Sequence, residues 1–144
     1  MPTYAFSTAK ELTLQQRARL VESVTAIHHV EATAPRYFVQ VIFYKVEPGS
    51  IFIGGEAASH GHVWVRADIR SGRTNDQKAK MLRRIMRETS EILGISDQDV
   101  WVYISDIPAQ GVLEFGSVLP EPGDEEQWLA SLPNGLRDKL IQAS

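Results

Sequence analysis

The second residue of the chain, Pro2, could transfer protons. Methionine before a small residue is normally removed, and loss of Met1 would expose the secondary amine of the proline. An α-amino group has a pKa of about 7.7–8.0 in simple peptides, so a modest change of environment makes it a general acid or base at neutral pH. The alternative interpretation is a proline that only begins an edge strand, where its missing N–H is tolerated.

Two arginines, Arg70 and Arg73, bracket a glycine turn immediately before a predicted helix. The free N–H groups and the dipole at a helix N-terminus favour an anion, and the two guanidinium groups add positive charge. The pattern therefore predicts a site for a small carboxylate or phosphate. Two solvated loop arginines are the alternative.

Three further residues could complete such a site. Glu114 lies among apolar residues in the stretch 111–116, where the charged form of a carboxylate is disfavoured and the group can serve as a general base. Tyr103 lies in a predicted strand, and His28 lies at the margin of the apolar face of a predicted helix. Each residue alone also has a purely structural interpretation, such as a core histidine bonded to the backbone.

Metal and cofactor chemistry find little support in the sequence. His60 and His62 form a His-x-His pair, but no third ligand stands at a supporting local spacing. Gly54-Gly55 lacks the other glycines and the following helix of a dinucleotide-binding loop, so it predicts a turn. The chain has no cysteine, which excludes thiol chemistry and disulfides. We expect no metal and no cofactor.

The composition predicts one domain in a soluble, cytoplasmic protein. The chain has 144 residues and a formal net charge of -3, with 15 basic and 18 acidic side chains. This balance gives no electrostatic case for nucleic acid. The longest apolar run, near Val41 to Tyr44, is far shorter than the roughly 18 residues of a membrane span.

A repeat of 61 residues organises the elements that must position these side chains. Thr13 with Gln16, and Thr74 with Gln77, each form a capping box at the start of a predicted helix, and 74 − 13 = 61. The same offset matches the apolar positions of the two helices and of the strands that follow them. These matches include Leu20 with Met81, Val24 with Ile85, Val39 with Val100 and Phe43 with Ile104.

The repeat predicts two β-α-β units, at about 2–45 and 63–105, followed by a C-terminal segment at 106–144. Pro35 is expected to end the first helix, and Tyr37 to Lys45 to form a strand. Because such units are right-handed, both helices should lie on one face of a four-stranded sheet, in an α+β two-layer sandwich. All 144 residues would form a single domain.

The opposite face of this sheet is not suited to water. Two of the strands carry apolar or aromatic residues on both sides, among them Phe38, Ile42, Trp101 and Tyr103. Most soluble oligomers are symmetric homo-oligomers, so we expect further copies of the chain to cover this face. We expect the C-terminal segment to wrap neighbouring subunits.

The proline start, the duplicated unit and the Arg-x-x-Arg together resemble the tautomerase superfamily and, within it, the cis-3-chloroacrylic acid dehalogenase family. The resemblance covers nearly the whole chain. It is carried by Pro2-Thr3-Tyr4, Ala34-Pro35-Arg36-Tyr37, Val39-Gln40-Val41, Ile69-Arg70-Ser71-Gly72-Arg73, Val100-Trp101-Val102-Tyr103 and Pro120-Glu121-Pro122-Gly123. Six residues match the functional set of that family: Pro2, His28, Arg70, Arg73, Tyr103 and Glu114.

The resemblance implies a tautomerase-like homotrimer that acts on a small carboxylate substrate without a cofactor. His28, Arg70 and Arg73 would bind the carboxylate. Tyr103 and Glu114 would position and deprotonate a water that adds to C3 of a cis-3-substituted acrylate, and protonated Pro2 would give a proton to C2. A halide at C3 would then leave, whereas an acetylenic acid would simply be hydrated.

Two alternatives stay open at this point. The protein could be a tautomerase of 2-oxo acids, of the phenylpyruvate or 2-hydroxymuconate type, in which Pro2 is the general base. It could also be a non-catalytic protein that binds small carboxylates, and retention of Met1 would favour that interpretation.

Overall fold

Residues 2–143, which the computed structural model describes, form a mixed sheet with helices and short hairpins. The strands are β1 (Thr3–Thr8), β2 (Gln40–Lys45), β3 (Phe52–Ile53), β4 (Glu56–Ala57), β5 (Val63–Arg70), β6 (Val100–Ile107), β7 (Leu113–Glu114) and β8 (Ser117–Val118). The helices are α1 (Leu14–Ala32), α2 (Asn75–Leu93), α3 (Glu125–Ser131) and α4 (Asn134–Gln142). The four long strands form one sheet in the order β2-β1-β5-β6.

The register of this sheet carries the 61-residue repeat. The first residues of the parallel pair β1 and β2 lie opposite each other and are 37 apart (40 − 3), and those of the parallel pair β5 and β6 are also 37 apart (100 − 63). Between the antiparallel strands β1 and β5, Ala5 lies opposite Arg66, which is 61 residues away (66 − 5). A local two-fold axis therefore passes between Ala5 and Arg66 and relates the two β-α-β units.

Both long helices begin at the predicted capping boxes. The Thr13 hydroxyl accepts the Gln16 N–H at 3.1 Å, and the Gln16 side chain accepts the Thr13 N–H at 3.0 Å. The corresponding distances for Thr74 and Gln77 are 3.2 and 2.9 Å. Gly94 ends α2 with a φ of 64°, a left-handed conformation that favours glycine. Within residues 2–143, no helix is both long and apolar enough to cross a membrane.

The main core lies between the sheet and the two long helices, which confirms the predicted α+β sandwich. Alternate residues of β1 and β5 face the helices and are buried, whereas their neighbours along each strand face the other way. The largest fully buried side chains of this core are Tyr4, Phe6, Leu20, Ile27, Ile69, Met81 and Ile85.

The segment after the first helix differs from the prediction. The helix ends at Ala32, with Thr33 left-handed, before Pro35 is reached. Tyr37 and Phe38 lie in a 3₁₀ turn and not in the strand, because Pro35 starts a tight turn in which its carbonyl accepts the Phe38 N–H at 3.3 Å. The strand therefore begins three residues later than Tyr37, at the first residue of β2.

The C-terminal segment builds a second core on that 3₁₀ turn. The rings of Phe38 and Trp128 lie 5.2 Å apart, and the Trp128 indole donates to the Val118 carbonyl at 2.9 Å. Leu119, Leu132 and Leu140 are buried in the same cluster. In the isolated chain the segment thus packs against its own first unit, and its predicted contact with neighbouring subunits stays a prediction.

Candidate active site

Pro2 lies at the end of the sheet where the central strand β1 begins and its neighbour β5 ends. Thr3 of β1 lies opposite Asp68 of β5. Because the strands are antiparallel, Pro2 before Thr3 and Arg70 after Asp68 lie at the same end of the sheet. The proline is buried, and its carbonyl accepts the Gln40 N–H of β2 at 3.0 Å. The backbone of the proline is therefore bound to the start of β2.

The sequence predicted that His28 lies at the margin of the apolar face of its helix, but the structure buries it fully. Its side chain is 1% exposed, because α1 packs on the sheet through Leu20, Val24, Ile27 and His28 while Val21 turns outward. Nδ1 of His28 lies 3.0 Å from the Tyr4 hydroxyl. Nε2 is buried without a hydrogen-bond partner in the part of the chain that the structure describes.

The protonation state of His28 follows from this burial. Burial, with nearby positive charges that include Arg73 and Arg70, lowers the pKa of His28 to about 3. The imidazole is therefore neutral at neutral pH, and its interaction with a ligand is a hydrogen bond and not an ion pair. The contact with Tyr4, two residues after Pro2, places the imidazole near the start of β1.

Arg73 offers two unused hydrogen-bond donors. Its Nε and Nη1 atoms are buried and have no partner among residues 2–143. Burial, followed by the positive charge of Arg70, lowers the pKa of Arg73, although a guanidinium keeps its charge in proteins. Arg73 is only half-buried as a whole, and its two buried, unused donors fit an anion.

Arg70 is largely occupied by the protein itself. Nη1 donates to the Pro120 carbonyl at 2.7 Å, and Nη2 donates to Glu125 Oε1 at 2.5 Å. The side chain is 3% exposed, and only its Nε lacks a partner within the described residues. Burial would raise the pKa of Glu125, but hydrogen bonds from Arg70 and from backbone N–H groups hold it below its usual range.

The turn between the two arginines packs closely against the C-terminal segment. Gly72 has a φ of 107°, and a Cβ atom there would lie 2.9 Å from Cγ of Pro122. Glycine is therefore required by both conformation and space at this point. The close approach fixes the Arg70 and Arg73 loop against the Pro120–Gly123 turn.

Glu114 lies in the β7–β8 hairpin, near the residues that lead into β2. It is half-buried, and burial raises the pKa of this carboxyl. Together with Val39 and Gln40 it lines a cavity of about 440 Å³. The cavity thus borders Gln40, whose backbone N–H binds the Pro2 carbonyl.

Tyr103 does not join the other residues within one chain. It lies on β6, the strand two places from β1, opposite Arg66 of β5. Its side chain is 51% exposed on the face away from the helices. Its ring contacts Trp64 edge-on, with the ring centroids 5.7 Å apart, and it lines a separate cavity with Phe52 and Trp101. The structure thus brings Pro2, His28, Arg70 and Arg73 to one end of the sheet, and places Glu114 in the cavity that borders Gln40 of β2.

Sequence reasoning missed two residues of this region, Tyr4 and Glu125. Tyr4 falls on the apolar face of a strand, and its only signal was a hydroxyl that must find a partner when buried. Glu125 stands in the first turn of a short helix, a common position for an acidic residue. Its pairing with Arg70, which is 55 residues away, had no local signal.

No group of three His, Cys, Asp or Glu side chains that could hold a metal ion converges within residues 2–143. His62 is buried and its ring contacts Trp101 edge-on, with the centroids 5.6 Å apart. Gly54 and Gly55 form the turn of the β3–β4 hairpin, as predicted.

A tandem β-α-β fold with a proline before its central strand β1 and two arginines at the same end of the sheet defines a tautomerase-like protein. Residues 1–131 match the family described as "Putative oxalocrotonate tautomerase enzyme". The chain is 42% identical to N1, described as a member of the cis-3-chloroacrylic acid dehalogenase (cis-CaaD) family; the match covers 97% of this chain and 99% of that one, with a TM-score of 0.94. The chain belongs to the tautomerase superfamily and, within it, to the cis-3-chloroacrylic acid dehalogenase family.

Further comparisons agree with this membership. Native Ps01740 is 36% identical over 78% of this chain and 99% of its own, with a TM-score of 0.73. Native fused 4-OT shares the fold at 22% identity, over 81% of this chain and 94% of its own, also with a TM-score of 0.73. No curated protein matches the chain significantly.

Proposed function

We propose that this protein adds water to small cis-unsaturated carboxylic acids without a cofactor, as a hydrolytic dehalogenase of cis-3-haloacrylates or a hydratase of acetylenic acids. The observation that carries the proposal is the set of unused donors beside Pro2: Nε and Nη1 of Arg73 and Nε2 of His28 are buried and unpartnered within residues 2–143. Buried donors of this kind fit the oxygens of a carboxylate.

The proposed carboxylate site divides the work between the two arginines. Arg73 binds the carboxylate directly, and the neutral imidazole of His28 donates a hydrogen bond to it. Arg70 contributes its Nε and its charge, because its two terminal nitrogens already bind Pro120 and Glu125. Addition of water to the double bond increases the negative charge on the carboxylate, and fixed cations there stabilise the transition state.

Glu114 and Pro2 carry the proton transfers in this proposal. Glu114 takes a proton from water while the water oxygen bonds to C3 of the substrate, and the protonated amine of Pro2 gives its proton to C2. With chlorine at C3, the adduct loses chloride and a proton to give malonate semialdehyde. The raised pKa of Glu114, which follows from its burial, supports its role as a base.

Tyr103 enters the proposal through a neighbouring subunit. It is exposed on the open face of the sheet, apart from the end where Pro2 lies, in the company of Trp64 and Trp101. Covering this aromatic face with further copies of the chain removes the apolar surface from water and can bring Tyr103 to the site of another copy. Homotrimer assembly is therefore part of the proposed function, and several fused 4-OT structures of the same fold are described as trimers.

The test has two steps, because the proposed acid exists only if the proline amine is free. Met1 lies outside the described residues, so mass spectrometry of the purified chain must first establish that it has been removed. Proton NMR of cis- and trans-3-chloroacrylate, propiolate and phenylpyruvate then identifies the reaction. We expect malonate semialdehyde from the cis isomer and from propiolate. A Met1-free protein that converts neither, or that only ketonises phenylpyruvate, contradicts the proposal.

A further inference from the structure

A buried tyrosine beside the site has no part in the proposed reaction. Tyr4 is 0% exposed in the centre of the main core, and its hydroxyl lies 3.0 Å from Nδ1 of His28. The two rings meet edge-on, with their centroids 6.0 Å apart. A phenol hydroxyl buried among apolar side chains is retained against a cost in desolvation, so its single contact with His28 calls for a role.

The direction of this hydrogen bond decides which nitrogen of His28 carries its proton. If the Tyr4 hydroxyl donates to Nδ1, the proton of the neutral imidazole lies on Nε2, the atom that has no partner in the described chain. If Nδ1 donates instead, the tyrosine proton loses its acceptor in the core and Nε2 presents a lone pair. A lone pair would repel a carboxylate, whereas an N–H binds it.

Both groups are neutral at physiological pH, as this arrangement requires. Burial raises the pKa of Tyr4 well above its usual range, and burial lowers that of His28. The charged groups around the pair are the N-terminal amine of the chain and the cations Arg73 and Arg70, and the neighbouring His29 is exposed on α1. These cations oppose a second proton on the imidazole and leave the choice of tautomer to Tyr4.

We propose that Tyr4 is a positioning residue, which holds His28 in the Nε2–H tautomer so that this N–H can bind an anion together with the unpartnered donors of Arg73. The inference rests on the proposed function only for the identity of the anion, a small carboxylate. It adds a residue outside the six matched to the family, acting on the ligand through another side chain.

The direct test is NMR of protein labelled with ¹⁵N at histidine, at neutral pH. Four histidines contribute, and His28→Gln assigns the resonances of His28. In the native protein we expect Nε2 in the protonated range and Nδ1 in the unprotonated range. In Tyr4→Phe, which removes only the hydroxyl, we expect Nδ1 to shift toward the protonated range as the tautomers mix. A protonated Nδ1 in the native protein overturns the inference, whether or not Tyr4→Phe folds.

A binding arm adds a consequence that a purely structural role would not produce. Tyr4→Phe should weaken binding of cis-3-chloroacrylate about tenfold, because one charge-assisted hydrogen bond is lost or reversed, and should affect KM more than kcat. Tyr44→Phe is the matched control, since this exposed tyrosine of β2 lies away from His28. Unchanged His28 resonances in folded Tyr4→Phe also overturn the inference. If the native protein has the Nε2–H tautomer but converts no substrate, the inference about Tyr4 is supported and only the proposed function is contradicted.

Discussion

Nη2 of Arg70 lies 2.5 Å from Oε1 of Glu125, and this ion pair joins the end of β5 to the start of α3. The second oxygen of Glu125 accepts the Gly123 N–H at 2.8 Å, so the same carboxylate also closes the turn before α3. The arginine is 3% exposed and the glutamate side chain 18%. The two arginines of the site are therefore not equivalent: Arg70 holds the C-terminal segment, and Arg73 keeps its donors for a ligand.

This difference predicts that alanine substitution of one arginine mainly lowers stability and that of the other mainly lowers activity. Arg70→Ala leaves Glu125 and the Pro120 carbonyl without their partner and should lower the free energy of unfolding by about 3 kcal/mol. Arg73→Ala should leave stability nearly unchanged and lower kcat/KM for cis-3-chloroacrylate at least tenfold, about 1.4 kcal/mol of transition-state stabilisation. Urea denaturation and steady-state kinetics measure the two effects. Equal loss of stability in both variants would contradict the division of roles.

Glu114 should set the acidic limb of the pH profile. Burial raises the pKa of this carboxyl, so the base is lost as pH falls through a value above the usual carboxyl pKa of about 4.3. The basic limb belongs to Pro2, which must be protonated to donate, so kcat/KM is expected to be bell-shaped. Glu114→Gln should abolish hydration of propiolate. Glu121→Gln, at an exposed acid of the turn before α3, is the control and should keep the native profile.

Complementation between two impaired variants tests whether Tyr103 acts in the active site of a neighbouring subunit. Tyr103→Phe and Arg73→Ala are each expected to be impaired alone. In co-assembled mixtures, a site built from an intact Arg73 of one chain and an intact Tyr103 of its neighbour should recover about a quarter of the native activity, by random assortment in a cyclic oligomer. If both residues act within one chain, no mixture recovers activity. Sedimentation equilibrium at micromolar concentration supplies the second check, since a stable 16.1 kDa monomer excludes the arrangement.

The sequence predicted those parts of the fold that depend on local or periodic patterns. The capping boxes at Thr13 and Thr74 satisfy backbone groups within four residues, so both helix starts were predicted correctly, and the repeat predicted the sheet. The strand predicted from Tyr37 to Lys45 begins only at Gln40, because β-propensity does not account for the tight turn that Pro35 begins. The pairing of Arg70 with Glu125 depends on how the C-terminal segment packs, and no local pattern encodes that.

The burial of His28 predicts a pH dependence of stability that one substitution removes. Its pKa is about 3 in the folded chain against about 6.5 when exposed, so between these values the unfolded chain binds a proton that the folded chain excludes. The free energy of unfolding should therefore be fully retained above pH 6.5 and fall by up to about 1.4 kcal/mol for each pH unit below it.

Native protein and His28→Gln, compared by urea denaturation at fixed protein concentration, should thus differ in slope between pH 8 and pH 5, by about 2 kcal/mol over that interval. Glu114 and Glu125 titrate in both proteins, so the difference isolates the histidine. His29→Gln is the matched control, because this neighbouring histidine is exposed, with Nδ1 2.9 Å from the Ala34 carbonyl, and its replacement should leave the slope intact. Parallel curves for native protein and His28→Gln would mean that the imidazole takes up its proton within the folded chain, and a charged His28 would then bind the carboxylate as an ion pair.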